Sequence, residues 1–375
     1  MKVVYVIPYA QYEKSIGIHQ GVRNKLDAQV SNLKKHGVDV QEQQLPLQMT
    51  SPISFIRSGF DGYKKLRKLY SSLGSSDVVY IRSLIPYITN FILSFVEKDR
   101  NIVYEIQNKG VYANNVFKQS LLKTIQLFYL NTTDRFFAPR IIRKSSAIVS
   151  VTHEIANHYS QGANALTKSL VLGNGINLSL YHQRIAPKFI DSINVLIVAN
   201  VHPWHGIDRF IRGLQDYQSS NNQIQINLHI VGDGPELPHL KELVSELNLE
   251  KNIIFHGYKY GEELNEMYKI CHIALDSLAG FIRGLTEASS LKSREYCACG
   301  IPFLVSLNDA DFPSNWEYTL RVSNDDTPIN MNTVVEFANR VMADPEHPQK
   351  MRRYAEEHLD WMVKMKVLKE FLESL

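Results

Sequence analysis

Short β-branched runs alternate with amphipathic helical stretches almost from end to end of this chain, and the alternation lapses once and then restarts. A pattern of this kind leaves few options, because parallel strands need crossover helices that cover the faces of their sheet. Val3–Ile7 begins the series, and the loop Ser15–Gly21 leads into a helix with Val22, Leu26, Val30 and Leu33 on one face. Gly37 stops that helix and a second strand is expected around Val38. Further strands are predicted over Asp77–Ile81, Asn101–Ile106 and Ala147–Val151. Near Arg184–Ser192 a polar, proline-containing link interrupts the pattern, and Asn194–Ala199 restarts it. Ile207, Phe210, Ile211 and Leu214 mark the next helix, followed by Ile226–Val231, the turn Gly232-Asp233-Gly234, another helix, Ile253–Phe255 and Ile273–Leu275. After Pro345 and Pro348 one long amphipathic helical segment is predicted, carrying Met351, Tyr354, Trp361, Met365, Leu368 and Leu372, suited to pack back across the first domain. The expectation is an α/β chain of two Rossmann-like domains facing a central cleft. Residues 1–186 with about 355–375 form the first, and 187–354 the second.

One segment carries chemistry. Thr286–Pro302 places Glu287 and Glu295 at either end of a helix entrance, with Ser289 and Ser290 as N-cap candidates, Gly300 as the C′ residue and Pro302 just beyond. Ile301–Val305 then reads as a buried strand, so the helix N-terminus faces the side of the sheet where ligands bind. Unpaired amides and the helix dipole favour a phosphate there, and Lys292 adds a full positive charge. A sugar nucleotide suits this arrangement, with its diphosphate on the amides, one Glu near the sugar and the other on the ribose hydroxyls.

At 375 residues with 44% hydrophobic and 21% charged side chains, the chain can bury two cores. The opening apolar run is β-branched and stops at Gln11, which reads as a strand rather than a secretory signal, and no run approaches bilayer length. Three cysteines, Cys271, Cys297 and Cys299, lack a pairing pattern and lack the second ligand pair a metal site requires, so buried thiols and a cytoplasmic location are expected. The net charge of +3 hides an asymmetry. Residues 1–186 hold 23 Lys and Arg against 11 Asp and Glu, and residues 187–375 hold 18 against 27, giving +12 and −9. The basic runs Lys64–Lys68 and Arg135–Lys144 are interleaved with Phe55, Phe60, Tyr63, Tyr70, Phe136 and Phe137. That composition fits peripheral docking on an anionic membrane or a polyanionic acceptor, with a solvated helix of snorkelling lysines as the alternative. No nucleic-acid recognition motif accompanies the charge.

The segments Trp204-His205-Gly206-Ile207-Asp208-Arg209 and Leu291-Lys292-Ser293-Arg294-Glu295-Tyr296 resemble retaining glycosyltransferases of the GT-B fold, family four, which build bacterial polysaccharides and glycoconjugates. The likeness extends to Gly21-Val22, Asn174-Gly175 and Val231-Gly232-Asp233-Gly234-Pro235. It implies that Glu287 contacts the donor sugar and Glu295 the ribose, with Ser289, Ser290, Leu291 and Lys292 holding diphosphate and sugar through backbone groups. Gly232, Gly234 and Gly21 belong to the loops near the donor. The family commonly neutralises the departing diphosphate with an Arg and a Lys, but here Asn200 and His205 stand at those positions. Arg283 is the first substitute, with Arg209 and Lys292 also available. Acceptor-side groups are expected at Gln107, Asn108 and Lys109, just after a strand.

The resemblance implies a metal-free design with no cofactor beyond the nucleotide-sugar donor, expected to be UDP-linked and to carry a hexose or N-acetylhexosamine. The acceptor is a glycan, a lipid-linked or a protein-linked sugar. Asp309-Ala310-Asp311 matches the metal-binding DxD of the other glycosyltransferase fold, but its polar loop after a strand of the second sheet argues against that role. Retention by same-face attack guided by the leaving phosphate is preferred over a two-carboxylate double displacement. A non-catalytic GT-B-like subunit that recognises acceptor is the competing reading, suggested by the missing Arg/Lys pair.

Overall fold

The computed structural model describes residues 1–11, 20–48, 52–82, 101–108, 139, 142–160, 167–188, 192–220 and 224–375. The chain divides into two compact units, Met1–Gly173 with Trp361–Leu375 and Asn174–Asp360.

In the first unit six parallel strands are described: β1 (Lys2–Gln11), β2 (Asp39–Gln48), β3 (Val78–Arg82), β4 (Asn101–Ile106), β5 (Ala147–Ser150) and β6 (Lys168–Val171). They lie in the order β2-β1-β3-β4-β5-β6. The helices α1 (Gln20–Lys35), α2 (Pro52–Tyr70) and α3 (His153–Ser160) belong to this unit. Both faces of the sheet are covered, so successive residues of one strand enter different cores. Val4, Val6, Val79 and Ile81 share a core with Leu66 and Tyr70 of α2. Val3, Tyr5, Val78 and Tyr80 share the other with Leu26, Val30 and Leu33 of α1.

The second unit contains β7 (Ser192–Val198), α4 (Ile207–Gln218), β8 (Gln225–Val231), α5 (Leu237–Glu246), β9 (Ile253–Gly257), α6 (Glu262–Ile270) and β10 (Ile273–Leu275). It continues with α7 (Leu291–Cys299), β11 (Phe303–Val305), β12 (Thr319–Arg321), α8 (Met331–Met342) and α9 (His347–His358). Its parallel sheet runs β12-β11-β10-β7-β8-β9, so the strand order reverses between β7 and β10. Loops leaving the carboxyl ends of those two strands diverge and open a crevice.

Two features differ from the sequence expectation. Residues 174–186, read as part of the first domain, pack into the second unit. There Arg184 is buried and donates to the carbonyls of Gly300, Cys271 and His272, with 3.2 Å to Gly300 and 3.0 Å to His272. The C-terminal segment is two helices, because the chain turns at Leu359–Asp360, where Ile176 N–H donates to the Leu359 carbonyl at 2.9 Å. Beyond that turn α10 (Trp361–Glu373) joins the first unit. Trp361, Met365, Leu368 and Leu372 complete the core beside α1.

Leu368 is fully buried in that core. Leu368→Ala should lower unfolding stability by about 3 kcal/mol through lost burial and a residual cavity. Urea denaturation measures it, and a loss below about 1 kcal/mol would mean that α10 contributes little to the core.

Candidate donor site in the second unit

The crevice at the β7/β10 reversal is a cleft of about 480 Å³. Asn200, His202, Trp204 and His205 line it from the loop after β7; Gly232, Tyr258 and Lys259 line it from the loops after β8 and β9. Leu291, Lys292 and Glu295 of α7 complete the lining.

Two glycines let these loops come close. A Cβ on Gly232 would lie 1.9 Å from the Ala199 carbonyl oxygen, and one on Gly234 would lie 2.2 Å from that of Val201. The gap is already taken by a backbone hydrogen bond from Val201 N–H to the Asp233 carbonyl at 2.7 Å. Gly232 faces the cleft, whereas Gly234 is not among its lining residues and serves loop contact.

At the start of α7 the N-cap is Ser290, but its hydroxyl does not cap the helix as expected. It donates to Asp276 at 2.8 Å instead. The Ser289 hydroxyl accepts the Asn174 N–H at 2.7 Å, and the Ser289 carbonyl accepts the Asn174 side-chain amide at 2.5 Å. The first-turn amides of α7 therefore receive no side-chain cap and have no intrahelical acceptor. Lys292 Nζ lies 3.1 Å from Asp276, a buried carboxylate at the end of β10 that also accepts the Ser277 N–H at 2.7 Å. Asp276 thus holds the lysine at the helix mouth. Sequence reasoning did not single it out, although its position just after a strand was the available signal.

Glu295, one turn further, lies deep in the cleft. Its carboxylate accepts hydroxyls from Tyr181 at 2.8 Å and Tyr268 at 3.2 Å. Burial raises its pKa above the ordinary carboxylate value, and the two hydroxyls and Lys292 partly offset that. Neither tyrosine was anticipated, since both come from distant parts of the sequence.

Glu287 is placed differently from Glu295. It sits in an extended stretch bridged to Asn308, with Ala288 N–H donating to the Asn308 carbonyl at 2.8 Å and Asn308 N–H to that of Thr286 at 3.0 Å. It precedes α7 and is not among the residues lining the cleft. Arg283 ends a short 3₁₀ turn, with its guanidinium 4.9 Å from the Trp204 ring centre; His202 stacks against Trp204 at 4.1 Å.

His205 is buried, and its Nδ1 accepts the His202 N–H at 3.1 Å, which leaves the proton on Nε2. Burial, reinforced by Lys292, His202 and Arg283, pushes its pKa down to about 2. The ring is a neutral donor here, not the cation that a lysine would supply.

The paired aspartates Asp309 and Asp311 have a structural partner. Arg294, fully buried in α7, forms ion pairs with both and donates to the Asn174 carbonyl at 2.9 Å and that of Ser290 at 3.1 Å. The three cysteines are free, buried thiols, with Cys271 raised to about 11 and Cys299 to about 12 by desolvation. Among the described residues no group of three or more His, Cys, Asp or Glu is placed to hold a metal.

Several expected residues lie in the first unit. Gln107 donates to Glu105 at 2.6 Å and accepts from Lys25 at 2.5 Å, so its amide is engaged in a local network. Asn108 is exposed, and Gly21 falls in the first turn of α1 rather than in the loop. Lys109, Phe136 and Phe137 lie outside the described residues.

An unfolded His205 binds a proton below about pH 6.5, whereas the folded one stays neutral, so stability falls as pH drops through that value. Between pH 6.5 and 5 the protein should lose about 1 kcal/mol per pH unit more than His205→Gln does. Urea midpoints across that range measure the difference, and equal slopes would show a protonated ring in the fold.

Residues 183–358 match the family described as glycosyl transferases group 1. Solved structures similar to the whole chain include Anabaena Alr3699/HepE in complex with UDP and glucose, at 17% identity and TM-score 0.63, covering 100% of both chains. A glycosyltransferase from Rickettsia africae is 12% identical at TM-score 0.68, covering 100% of this chain and 98% of that one. Sucrose-phosphate synthase from Thermosynechococcus elongatus is 14% identical at TM-score 0.64, again covering 100% and 98%. No match is found among curated proteins. The chain has the GT-B fold of these similar structures, and residues 183–358 of its second unit are similar to the glycosyl transferases group 1 family.

Proposed function

We propose that the protein is a retaining glycosyltransferase of family four type. It moves a hexose or N-acetylhexosamine from a UDP-linked donor to a glycan, lipid-linked or protein-linked acceptor, without a divalent metal. The observation that carries this reading is the cleft where the uncapped start of α7, Lys292 and Glu295 converge. A diphosphate placed against the first-turn amides meets the helix dipole and the Lys292 ammonium, which takes up charge as the glycosidic bond to phosphate breaks. Arg283, held over Trp204, is the second cation for that charge. His205 contributes a neutral Nε2–H. Glu295 retains acceptor capacity for ribose hydroxyls beside its two tyrosine partners, and Tyr258 at the cleft offers an exposed ring against which a base can stack. Glu287, just ahead of the helix, is assigned to the donor sugar. The acceptor hydroxyl attacks from the face the phosphate leaves, with Gln107 and Asn108 on the acceptor side. The similar Anabaena structure in complex with UDP and glucose supports a UDP donor.

One observation favours the competing reading of a non-catalytic partner subunit. The residues at the usual Arg and Lys positions, Asn200 and His205, carry no positive charge.

Thermal unfolding with UDP, GDP, ADP and dTDP should show a UDP response that is lost in Glu295→Ala, because a ligand bound only by the fold raises its stability. UDP-sugar hydrolysis should persist in EDTA. A UDP response with no turnover, or no response to any nucleotide, would overturn the enzyme reading and favour the partner subunit.

Membrane contact is proposed for α2. Arg57, Phe60, Lys64, Lys65, Arg67 and Lys68 are exposed along it, with Asp61 among them, while Leu66 and Tyr70 are buried. No helix among the described residues is long and apolar enough to cross a membrane, so such contact is peripheral. A Lys64→Glu, Lys65→Glu, Lys68→Glu variant should co-sediment less with phosphatidylserine vesicles, at about 1 kcal/mol per removed basic residue. Unchanged sedimentation would assign the basic face to solvent.

A further inference from the structure

The carboxyl edge of the first unit's sheet holds a guanidinium with a buried nitrogen that has no hydrogen bond among the described residues. Arg82 ends β3 at the point where the strand order reverses between β1 and β3, the crevice position of a doubly wound sheet. The residue keeps 9% of its surface exposed, and its Nη1 is fully buried with no hydrogen-bond partner among the described residues. Two residues earlier on the same strand face, the buried Tyr80 hydroxyl is also without a partner.

The register-paired acid attracts this charge but makes no hydrogen bond to its buried Nη1. Glu105 is the register partner of Arg82 on β4, yet its oxygens are taken by Tyr5 at 2.9 Å, Gln29 at 3.1 Å and Gln107 at 2.6 Å, with Lys25 at 3.5 Å. Burial pushes the Glu105 carboxyl up, but Lys25, Arg82 and the hydrogen bonds from Gln29 and Tyr5 outweigh it and hold it ionised. A guanidinium buried beside an already satisfied carboxylate is unfavourable unless another anion completes it.

We propose that Arg82 and the Tyr80 hydroxyl form an anion site in the first unit that binds the phosphate or carboxylate of a ligand. On the glycosyltransferase reading, that ligand is an acceptor bearing such a group. The site's existence does not depend on that reading; only the word acceptor does. Arg supplies paired N–H donors matched to an oxyanion, and the tyrosine supplies a third.

The test compares the full chain with Arg82→Met, which keeps the length of the stem and removes the charge. Thermal unfolding is followed in inorganic phosphate, in acetate and in chloride at matched ionic strength. The wild-type protein should be stabilised by phosphate or acetate over chloride. In Arg82→Met the apparent anion affinity should fall roughly tenfold or more, the worth of a charge-assisted hydrogen bond. The variant in chloride should match or exceed the wild-type midpoint, since a buried unpaired charge has been replaced by an apolar side chain. Glucose 6-phosphate and phosphatidylcholine vesicles containing phosphatidic acid, used as further arms, separate a soluble phosphate from a lipid headgroup. An anion response equal in both proteins, or absent from the wild type, overturns the proposal. So does a variant several degrees less stable in chloride with its anion response intact, which would make Arg82 structural. The UDP titration is read separately, so loss of either response leaves the other interpretable.

Discussion

The cleft at the start of α7 depends on one buried guanidinium. Arg294 sits inside the first turn of α7, where it bonds Ser290, the Asn174 carbonyl and the two carboxylates of the 309–311 loop. Removing one member of such a buried set strands the others in a low-dielectric interior, so the pieces hold together or fail together. Through this set the helix mouth is tied both to residues 174–175 and to the loop after β11. Without it, the amides that face the cleft have no fixed position, and a site that stabilises developing charge works only if its dipoles are already in place.

Asp276 extends the same logic to the cations. A lysine on a flexible stem is a poor electrostatic tool until something restrains it. Asp276 lies beneath the helix mouth and takes both the Lys292 ammonium and the Ser290 hydroxyl. The hydroxyl that would otherwise cap α7 is thereby drawn off, and the first-turn amides remain available. A single buried carboxylate restrains the charge and keeps the helix uncapped. Both effects favour an anionic ligand.

Much of this architecture is legible in the residues. The strand at Asn101–Ile106, the helix ending at Gly300 and the restart near Asn194 follow from side-chain periodicity and from glycine's tolerance of the left-handed conformation, which Gly300 adopts at φ 76°. Less legible was the end of the chain. Periodicity alone does not reveal that the backbone turns at Asp360, because the apolar spacing continues across the turn into α10 and the stop comes from a tertiary hydrogen bond to Ile176. Arg184 likewise reads as a polar link residue, and only its carbonyl acceptors in the second unit explain its burial.

The sequence by itself determined the two sheets, the placement of α7 between strands of the second, and the acidic and basic residues gathered around it, because these are local consequences of period, capping and loop chemistry. Only the tertiary structure decided which of those residues meet. It brought Tyr181 and Tyr268 onto Glu295, made His205 a neutral donor, turned Asp309 and Asp311 into counter-ions for Arg294, and left the buried Nη1 of Arg82 without a hydrogen bond among the described residues. Apart from the His202–His205 contact, such pairings join residues 15 to 114 positions apart, and the charge states follow from burial and neighbours rather than from residue type.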